Sequence, residues 1–370
     1  MSKTTAQPIE EQKLPRYRQR HYCPICIGQR LIDRYKMIAK LGFGAYSTVW
    51  MARDESANTY ASIKVFVQDE RADSPVTNEL NVLRKLKECP SDHFAASGAR
   101  LPSEFFQVEG PSGRHHCIAS EPKGCSLWDL QDVFPGRRMP HQLVANIVRG
   151  LLGCINWLYL DCDLTHTEIT SQNVLADLSN DEPFAMIERE EAAEPSVPIM
   201  DGDYPVYHFG SARTASVAQT DWCMPDTYRA PEVLLCVPWG CQIDVWSIGM
   251  MALQLIEARN LFNPIDYAHS QYVLPVAVAQ YISVLGSPPM WMIQESRNPD
   301  IRALFDDQGR WTSEVPIPKF SLEDWVTAIP DGQDKEDFLR FIRRVLVWEG
   351  LERGTSTDLF AEEWTTSGLR

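Results

Sequence analysis

The sequence is best understood from one polar segment, residues 165–174, which follows a long helical pattern. Apolar residues recur before it at alternating spacings of four and three, namely Val144, Val148, Leu151, Ile155 and Leu158. This spacing predicts a helix with one face in a hydrophobic core. That helix delivers the chain to the segment, which contains His166, Glu168 and Asn173. We therefore interpret the rest of the chain as the scaffold that positions this segment.

Length and composition predict a folded protein with two lobes. The chain has 370 residues and is 44% hydrophobic, which is enough for two cores. No apolar run approaches the roughly 18 residues of a membrane span, and the N-terminus lacks the apolar core of a signal peptide. We expect a monomer inside the cell, in the cytoplasm or nucleus, without membrane contact.

The net charge of -15 bears on the partners that this protein can bind. Recognition of nucleic acid needs concentrated Lys and Arg, so the charge argues against it. Long-range attraction favours a basic protein partner instead.

Ten cysteines are scattered without a repeating spacing, which predicts reduced and mostly buried thiols. Cys23 and Cys26 are the exception because they form a C-x-x-C pair. A single pair is compatible with zinc binding, redox chemistry, ordinary packing or a surface turn.

The N-terminal part reads as an extension followed by a glycine-rich hairpin. Residues 1–34 are polar and interrupted by prolines, so we expect a loose extension, with order beginning near Tyr35. Residues 38–52 then read as strand, turn, strand. Gly42 and Gly44 allow close approach of the backbone to phosphates, and Ser47 takes the place of a third glycine. A nucleotide flap and a plain hairpin both fit this pattern.

A buried ion pair is predicted between a strand and the next helix. Lys64 lies on a short apolar strand, and Ser74 followed by Pro75 is a helix start signal. Glu79 falls on the apolar stripe of that helix. A buried carboxylate needs a cation, and Lys64 is the natural candidate.

Three later stretches have patterns that predict local structure. Residues 105–121 predict a hairpin. Residues 177–204 form an acidic, proline-containing insert, which we expect to be mobile and solvated, with attraction of an Arg-rich peptide as the alternative role. Residues 242–262 are apolar nearly all round, which predicts a fully buried helix.

The polar segment resembles the catalytic loop of protein kinases. The family pattern is H-R-D-L-K-P-x-N, or H-T-D in the SR-protein kinases, and His166, Thr167 and Asn173 match it. Glu168 stands where the family has its Asp base, and Thr170 where most members have Lys.

Other motifs of the same family follow in the family's order. His208, Phe209 and Gly210 stand at the D-F-G motif, with His208 at the position of the metal-binding Asp. Residues 228–233 read Y-R-A-P-E-V, which is similar to the SR-protein and LAMMER kinases. The resemblance implies that Asp244 holds the catalytic-loop backbone and that His166 and Asp244 have structural roles. It also implies that Glu232 pairs with Arg353.

The resemblance covers residues 35 to about 364 and implies an α+β bilobal protein-kinase fold. The small, mainly antiparallel N-lobe would span residues 35–121 and the larger, mainly helical C-lobe residues 122–366, including the insert. Residues 367–370 would be a tail.

The resemblance also implies an ATP site. Its nucleotide-binding residues would be Leu41, Gly42, Gly44, Val49, Lys64, Glu121 and Lys123, the last two through the hinge backbone. Its catalytic residues would be Glu168, Lys64 and Glu79.

The metal site implied for Mg²⁺ or Mn²⁺ is altered. It would consist of Asn173 and His208, and imidazole brings no negative charge and suits zinc, copper or nickel better. His208 is then either a packed histidine or a ligand of Mn²⁺ or another metal.

Two hypotheses follow from these changes. One is a pseudokinase that binds ATP. The other is an active serine/threonine kinase, slow or with atypical metal use, that phosphorylates basic Arg/Ser-rich proteins.

Overall fold

The computed structural model describes residues 21–69, 71–90, 96, 98–110, 113–193, 211–266, 269 and 271–367. The chain divides into two compact units. Unit 1 comprises Met1–Glu88, Arg100–Ser126 and Leu175–Gly210, and unit 2 comprises Cys89–Ala99, Leu127–Val174 and Ser211–Arg370. Residues 177–193 of the acidic insert therefore belong to unit 1, whereas the sequence placed the insert within residues 122–366.

Unit 1 is built on a six-stranded antiparallel sheet. Its strands are β1 Arg30–Leu31, β2 Tyr35–Gly44, β3 Ser47–Asp54, β4 Thr59–Phe66, β5 Pro102–Gly110 and β6 Gly113–Ser120. Their order across the sheet is β1-β2-β3-β4-β6-β5. The β5–β6 pair confirms the predicted hairpin.

One helix of unit 1, α1, spans Pro75–Glu88 and starts where the sequence predicted. The hydroxyl of Ser74 accepts a hydrogen bond from the backbone N–H of Thr77 at 3.1 Å. This contact satisfies one of the N–H groups that a helix start leaves unpaired. Val76, Leu80 and Leu83 are buried along its apolar stripe.

Order begins earlier than the sequence suggested. Leu31 on β1 pairs with Tyr35 on β2, and Cys23 and Leu31 are buried in the same core cluster. The expectation that order starts near Tyr35 is therefore wrong for residues 21–34. A polar segment can be ordered when a few of its side chains are buried, which composition alone does not show.

Unit 2 is mainly helical. Its longer helices are α3 His141–Leu160, α6 Gln242–Glu257, α7 Leu274–Leu285 and α11 Gln333–Val345. The shorter ones are α2 Leu127–Leu130, α5 Pro231–Leu234, α8 Met290–Glu295, α9 Pro299–Arg302, α10 Leu322–Trp325, α12 Ser356–Phe360 and α13 Glu363–Ser367. Two short ribbons pair β7 Leu164–Thr165 with β8 Arg213–Thr214 and β9 Ile265–Asp266 with β10 Gln271–Tyr272. Isolated bridges join Gln219 to Trp239 and Phe305 to Trp311.

The core of unit 2 surrounds α6, whose residues from Ile243 to Glu257 are all buried. The rings of Phe262 and Tyr281 stack beside it with centroids 4.0 Å apart. The helix ends at Glu257 because Ala258 turns left-handed, with φ of 56°. It is therefore five residues shorter than the predicted stretch 242–262.

Helix α3 is long and apolar enough, by length and composition, to cross a membrane. The prediction that no apolar run approaches the length of a membrane span is therefore wrong for α3 by this criterion. Half of its apolar window is buried, and Val144, Val148 and Leu152 lie in the core of unit 2. Burial of this kind is what the core helix of a globular unit shows.

Candidate active site

The predicted ion pair between Lys64 and Glu79 is present in unit 1. Lys64 lies on β4 and Glu79 on α1, and the ammonium nitrogen is 2.5 Å from one carboxylate oxygen. Both side chains are buried. Separating the two buried charges would be costly, because each would then lack its partner. The ion pair therefore holds α1 against β4. The role of the pair in holding phosphates stays a prediction.

The glycine-rich segment forms a tight hairpin between β2 and β3. Gly44 pairs with Ser47, so that Ala45 and Tyr46 alone form the turn. Gly42 pairs with Val49, and Val49 pairs with Lys64 across the next strand boundary. The hairpin and the lysine are therefore directly linked through the sheet. Leu41 lies on the same hairpin, one residue before Gly42.

The two charged residues of the predicted hinge pair with one another. The ammonium of Lys123 is 2.7 Å from Glu121 and 2.7 Å from Asp177. Burial by itself would lower the pKa of Lys123, but the hydrogen bonds to Asp177 and Glu121 outweigh burial and raise it. Asp177 is the first residue of the insert, so these contacts tie the insert to the hinge segment.

The insert contains a docked helix, α4, which spans Glu182–Ala193. Phe184 is buried in a cluster with Ile38, Met51 and Tyr60, and Leu41 packs against the same cluster. Glu188 accepts a hydrogen bond from the hydroxyl of Tyr60 at 2.7 Å. The expectation of a solvated insert is therefore wrong for Phe184, which is buried, whereas the outer face of α4 is exposed.

The sequence contained a signal for this helix that the acidic composition concealed. Phe184 and Ile187 stand three residues apart, which is helical spacing, and both contact the sheet. Arg53 also forms an ion pair with Glu188. These partners lie more than a hundred residues away in sequence, so the docking position could not be predicted.

In unit 2, the catalytic-loop backbone is held by Asp244, as the resemblance implied. The two oxygens of Asp244 accept hydrogen bonds from the backbone N–H groups of His166 at 2.6 Å and Thr167 at 2.7 Å. Thr167 has a φ of 68°, which is strained for a β-branched residue. Its hydroxyl donates to the carbonyl of Ser211 at 2.9 Å. These bonds compensate the strain.

Burial controls the protonation of the two residues that shape this loop. It raises the pKa of Asp244 to about 7, although the backbone donors from His166 and Thr167 lower it in part. It lowers the pKa of His166 to about 4. The neutral imidazole agrees with its contact, because its Nδ1 accepts a hydrogen bond from the N–H of Glu168 at 3.2 Å.

Glu168 and Asn173 lie together in the loop. The amide nitrogen of Asn173 donates to the backbone carbonyl of Glu168 at 2.8 Å. The side-chain oxygen of Asn173 is then the atom that could bind a cation. Thr170 is buried, and its carbonyl accepts from the N–H of Asn173 at 3.0 Å. The hydroxyl of Thr170 also accepts from this N–H, at 3.3 Å. Position 170 therefore carries a neutral hydroxyl where most kinases have a cation.

Among the residues implied for the Mg²⁺ site, the structure describes Asn173, whose side-chain oxygen is a suitable ligand atom. Mg²⁺ takes oxygen ligands in tight octahedral geometry. No group of three or more His, Cys, Asp or Glu side chains suited to a metal occurs within the described ranges. His208, Phe209 and Gly210 lie outside them, so the predicted role of His208 as metal ligand and those of Phe209 and Gly210 stay predictions.

The C-x-x-C pair is divided between core and surface. Cys23 is buried with Cys117, and burial raises the pKa of the Cys23 thiol, whereas Cys26 is exposed. A raised pKa lowers thiolate content, which both metal binding and redox chemistry need. Packing of Cys23 is the interpretation that these facts support.

Glu232 of the Y-R-A-P-E-V motif, residues 228–233, forms a buried ion pair, again as the resemblance implied. The two terminal guanidinium nitrogens of Arg353 donate hydrogen bonds to the carboxylate of Glu232, at 2.9 and 3.0 Å. One of them also donates to the carbonyl of Gln242 at 2.6 Å. Arg353 therefore joins α5, which carries Glu232, to the start of α6 through a bidentate ion pair and a backbone hydrogen bond.

Comparison with known proteins agrees with this geometry. The model of the protein kinase domain matches residues 35–365. A serine/threonine protein kinase of Aspergillus fumigatus is 30% identical over 383 aligned positions, which cover 97% of this chain and 91% of that protein. The serine/threonine-protein kinase SRPK of Physarum polycephalum is 26% identical, covering 69% of this chain and 68% of its own. Protein kinase dsk1 of Schizosaccharomyces pombe is 30% identical over 46% of this chain and 32% of its own.

This chain therefore belongs to the protein kinase family, and its relatives include SRPK-like serine/threonine kinases. The predicted α+β fold, with an antiparallel sheet in its N-terminal part and helices in its C-terminal part, is confirmed.

Proposed function

We propose that this protein is an SRPK-like pseudokinase that binds ATP and is impaired in phosphoryl transfer. The observation that carries the proposal is the contrast between two parts of the chain. The Lys64–Glu79 ion pair is formed at 2.5 Å, while the loop that acts on the γ-phosphate in kinases carries Glu168 and Thr170.

The nucleotide-binding half of the proposal rests on unit 1. Lys64 is held in place by Glu79, so its ammonium is positioned to bind α and β phosphates. Val49 lies opposite Lys64 in the sheet, and Leu41 packs beside Ile38 and Met51. Such apolar side chains are suited to contact a base.

The proposed impairment of phosphoryl transfer is argued from the altered charges and the altered position of the carboxylate at the reacting phosphate. Phosphoryl transfer depends on positioning and on neutralisation of charge. Glu168 keeps the carboxylate but moves it by one methylene, and a misplacement of about 1 Å can cost on the order of a hundredfold in rate. His208 removes an anionic ligand for the metal, and Thr170 removes a cation.

An active kinase remains the second candidate, because one observation favours it. The loop backbone is held by Asp244 in the way the family requires, with contacts of 2.6 and 2.7 Å. In that case Glu168 is the base, and the substrates are basic Arg/Ser-rich proteins, which suit a chain with a net charge of -15.

The thermal stability of the protein with ATP tests the proposal. We expect ATP to raise the melting temperature in EDTA and in Mg²⁺ alike, because binding to the native state stabilises it. The Lys64→Met variant should show a smaller rise. A rise that appears only with Mg²⁺ or Mn²⁺ would favour the active kinase, and no rise under any condition would overturn ATP binding.

A further inference from the structure

The turn of the glycine-rich hairpin is held by a residue that precedes the family-matched region. The hydroxyl of Tyr22 donates to the backbone carbonyls of Gly44 at 2.9 Å and Ala45 at 3.2 Å. Tyr22 is buried. A buried phenol needs a hydrogen-bond partner, so these contacts are not a chance approach of a mobile surface side chain.

The backbone next to Tyr22 is hydrogen-bonded to the segment that directly follows β4, the strand that carries Lys64. The carbonyl of His21 accepts a hydrogen bond from the N–H of Gln68 at 2.9 Å. The preceding residue, Val67, donates to the carbonyl of Tyr46 at 2.9 Å. The two residues that directly follow β4 therefore hold both the backbone next to Tyr22 and the turn.

The turn gains little support from its own geometry. It has only two central residues, Ala45 and Tyr46, and neither has a left-handed φ. Two-residue hairpins are best matched to strand twist by turns that use such a conformation. The turn therefore depends on contacts from outside the hairpin, and three successive carbonyls, of residues 44–46, receive them.

Fixing these carbonyls also fixes the N–H groups of the turn. Both peptide bonds are trans, and in a planar trans peptide the C=O and N–H point in opposite directions. Because the carbonyls of Gly44 and Ala45 point to Tyr22, the N–H groups of Ala45 and Tyr46 point away from it. Successive backbone N–H groups that point the same way form a site for phosphate.

We propose that Tyr22 is a positioning residue of the nucleotide site, whose hydroxyl pre-orients the N–H groups of the glycine-rich turn for the phosphates of ATP. This inference rests on the proposed binding of ATP. Pre-orientation improves affinity because less ordering remains to be done on binding. The effect concerns the phosphates and leaves recognition of the nucleoside unchanged.

Binding of ATP and of adenosine to the full chain tests this inference, with Tyr22→Phe compared with Tyr35→Phe. Tyr35 is a matched control, because it is also a buried tyrosine of unit 1 and its hydroxyl donates to Glu104 at 2.7 Å. We expect Tyr22→Phe to weaken ATP binding about three- to tenfold, as loss of a hydrogen bond does. Adenosine affinity should stay constant. Tyr35→Phe should leave the ratio of the two affinities unchanged.

Amide hydrogen exchange of the free protein gives the second readout. The amides of Ala45 and Tyr46 should exchange faster in Tyr22→Phe than in Tyr35→Phe. Unchanged exchange, unchanged ATP affinity, or equal weakening of ATP and adenosine would each overturn the role of Tyr22. If the unaltered protein binds no ATP, both the proposed function and the role of Tyr22 fail. If the unaltered protein and Tyr22→Phe bind ATP equally well, only the role of Tyr22 fails.

Discussion

Asp244 accepts a hydrogen bond from the backbone N–H of Thr167 at 2.7 Å and so stabilises a residue whose φ is 68°. The same carboxyl binds the N–H of His166 at 2.6 Å. One buried acid therefore determines the backbone path that precedes Glu168. This arrangement is independent of whether Glu168 or an Asp follows, so the loop can keep its shape while its chemistry changes.

We predict that the stability cost of Asp244→Asn depends on pH. Burial raises the pKa of Asp244 to about 7 in the folded state. A raised pKa contributes stability that is fully present below the unfolded value, about 3.9, and that is lost as pH rises through the folded value. The cost of Asp244→Asn, measured by urea unfolding, should therefore be larger at pH 5 than at pH 8. An equal cost at both pH values would show that Asp244 is ionised throughout.

The opposite trend is predicted for His166→Phe. Burial lowers the pKa of His166 to about 4, so its contribution is present above the unfolded value of about 6.5 and is lost as pH falls toward 4. Urea unfolding should show a larger cost of His166→Phe at pH 7 than at pH 5. A cost that is larger at pH 5 would mean that the buried imidazole is protonated.

Loss of the docking side chain of α4 should release that helix from the sheet. Phe184→Ala removes a ring buried among Ile38, Met51 and Tyr60, and such changes cost about 3 kcal/mol. We expect faster proteolysis within residues 182–193 and a lower free energy of unfolding. Met186→Ala is the matched control, because Met186 lies on the same helix and is 49% exposed. Equal effects of the two variants would contradict the docking of Phe184.

The buried ion pair between Glu232 and Arg353 should be sensitive to the loss of one charge. Arg353→Met leaves Glu232 buried without its partner, and breaking a buried pair in this way costs about 3–5 kcal/mol. The variant Glu232→Gln combined with Arg353→Met should recover part of that loss. Chemical denaturation of the two variants measures both effects, and a double variant less stable than the single one would rule out an unpaired carboxylate as the cause.

The sequence was sufficient to predict contacts in which chemistry restricts the choice of partner. Glu79 lies on an apolar stripe, so it needed a cation, and Lys64 was available. The contacts of Asp244 and of Arg353 with Glu232 followed from the resemblance. Tyr22 could not be placed in this way because its partners are backbone carbonyls, which carry no residue-type signal.

The end of α6 and the docking of α4 escaped prediction for related physical reasons. Ala258 adopts a left-handed conformation with φ of 56°, although alanine favours helix. Glu188 of α4 pairs with Arg53 and Tyr60, which are distant in sequence. The contacts that dock α4 leave no local pattern in the sequence, and an alanine at position 258 gives no signal that a helix ends there.

Transfer of the γ-phosphate is the most direct test of the central claim that ATP is bound but poorly used. The assay would compare the unaltered protein, Lys64→Met and the double variant Glu168→Asp with His208→Asp, on Arg-Ser peptides in Mg²⁺ and in Mn²⁺. We predict that the unaltered protein transfers phosphate no faster than Lys64→Met, and that the double variant gains activity. Transfer by the unaltered protein well above the Lys64→Met level would contradict the claim.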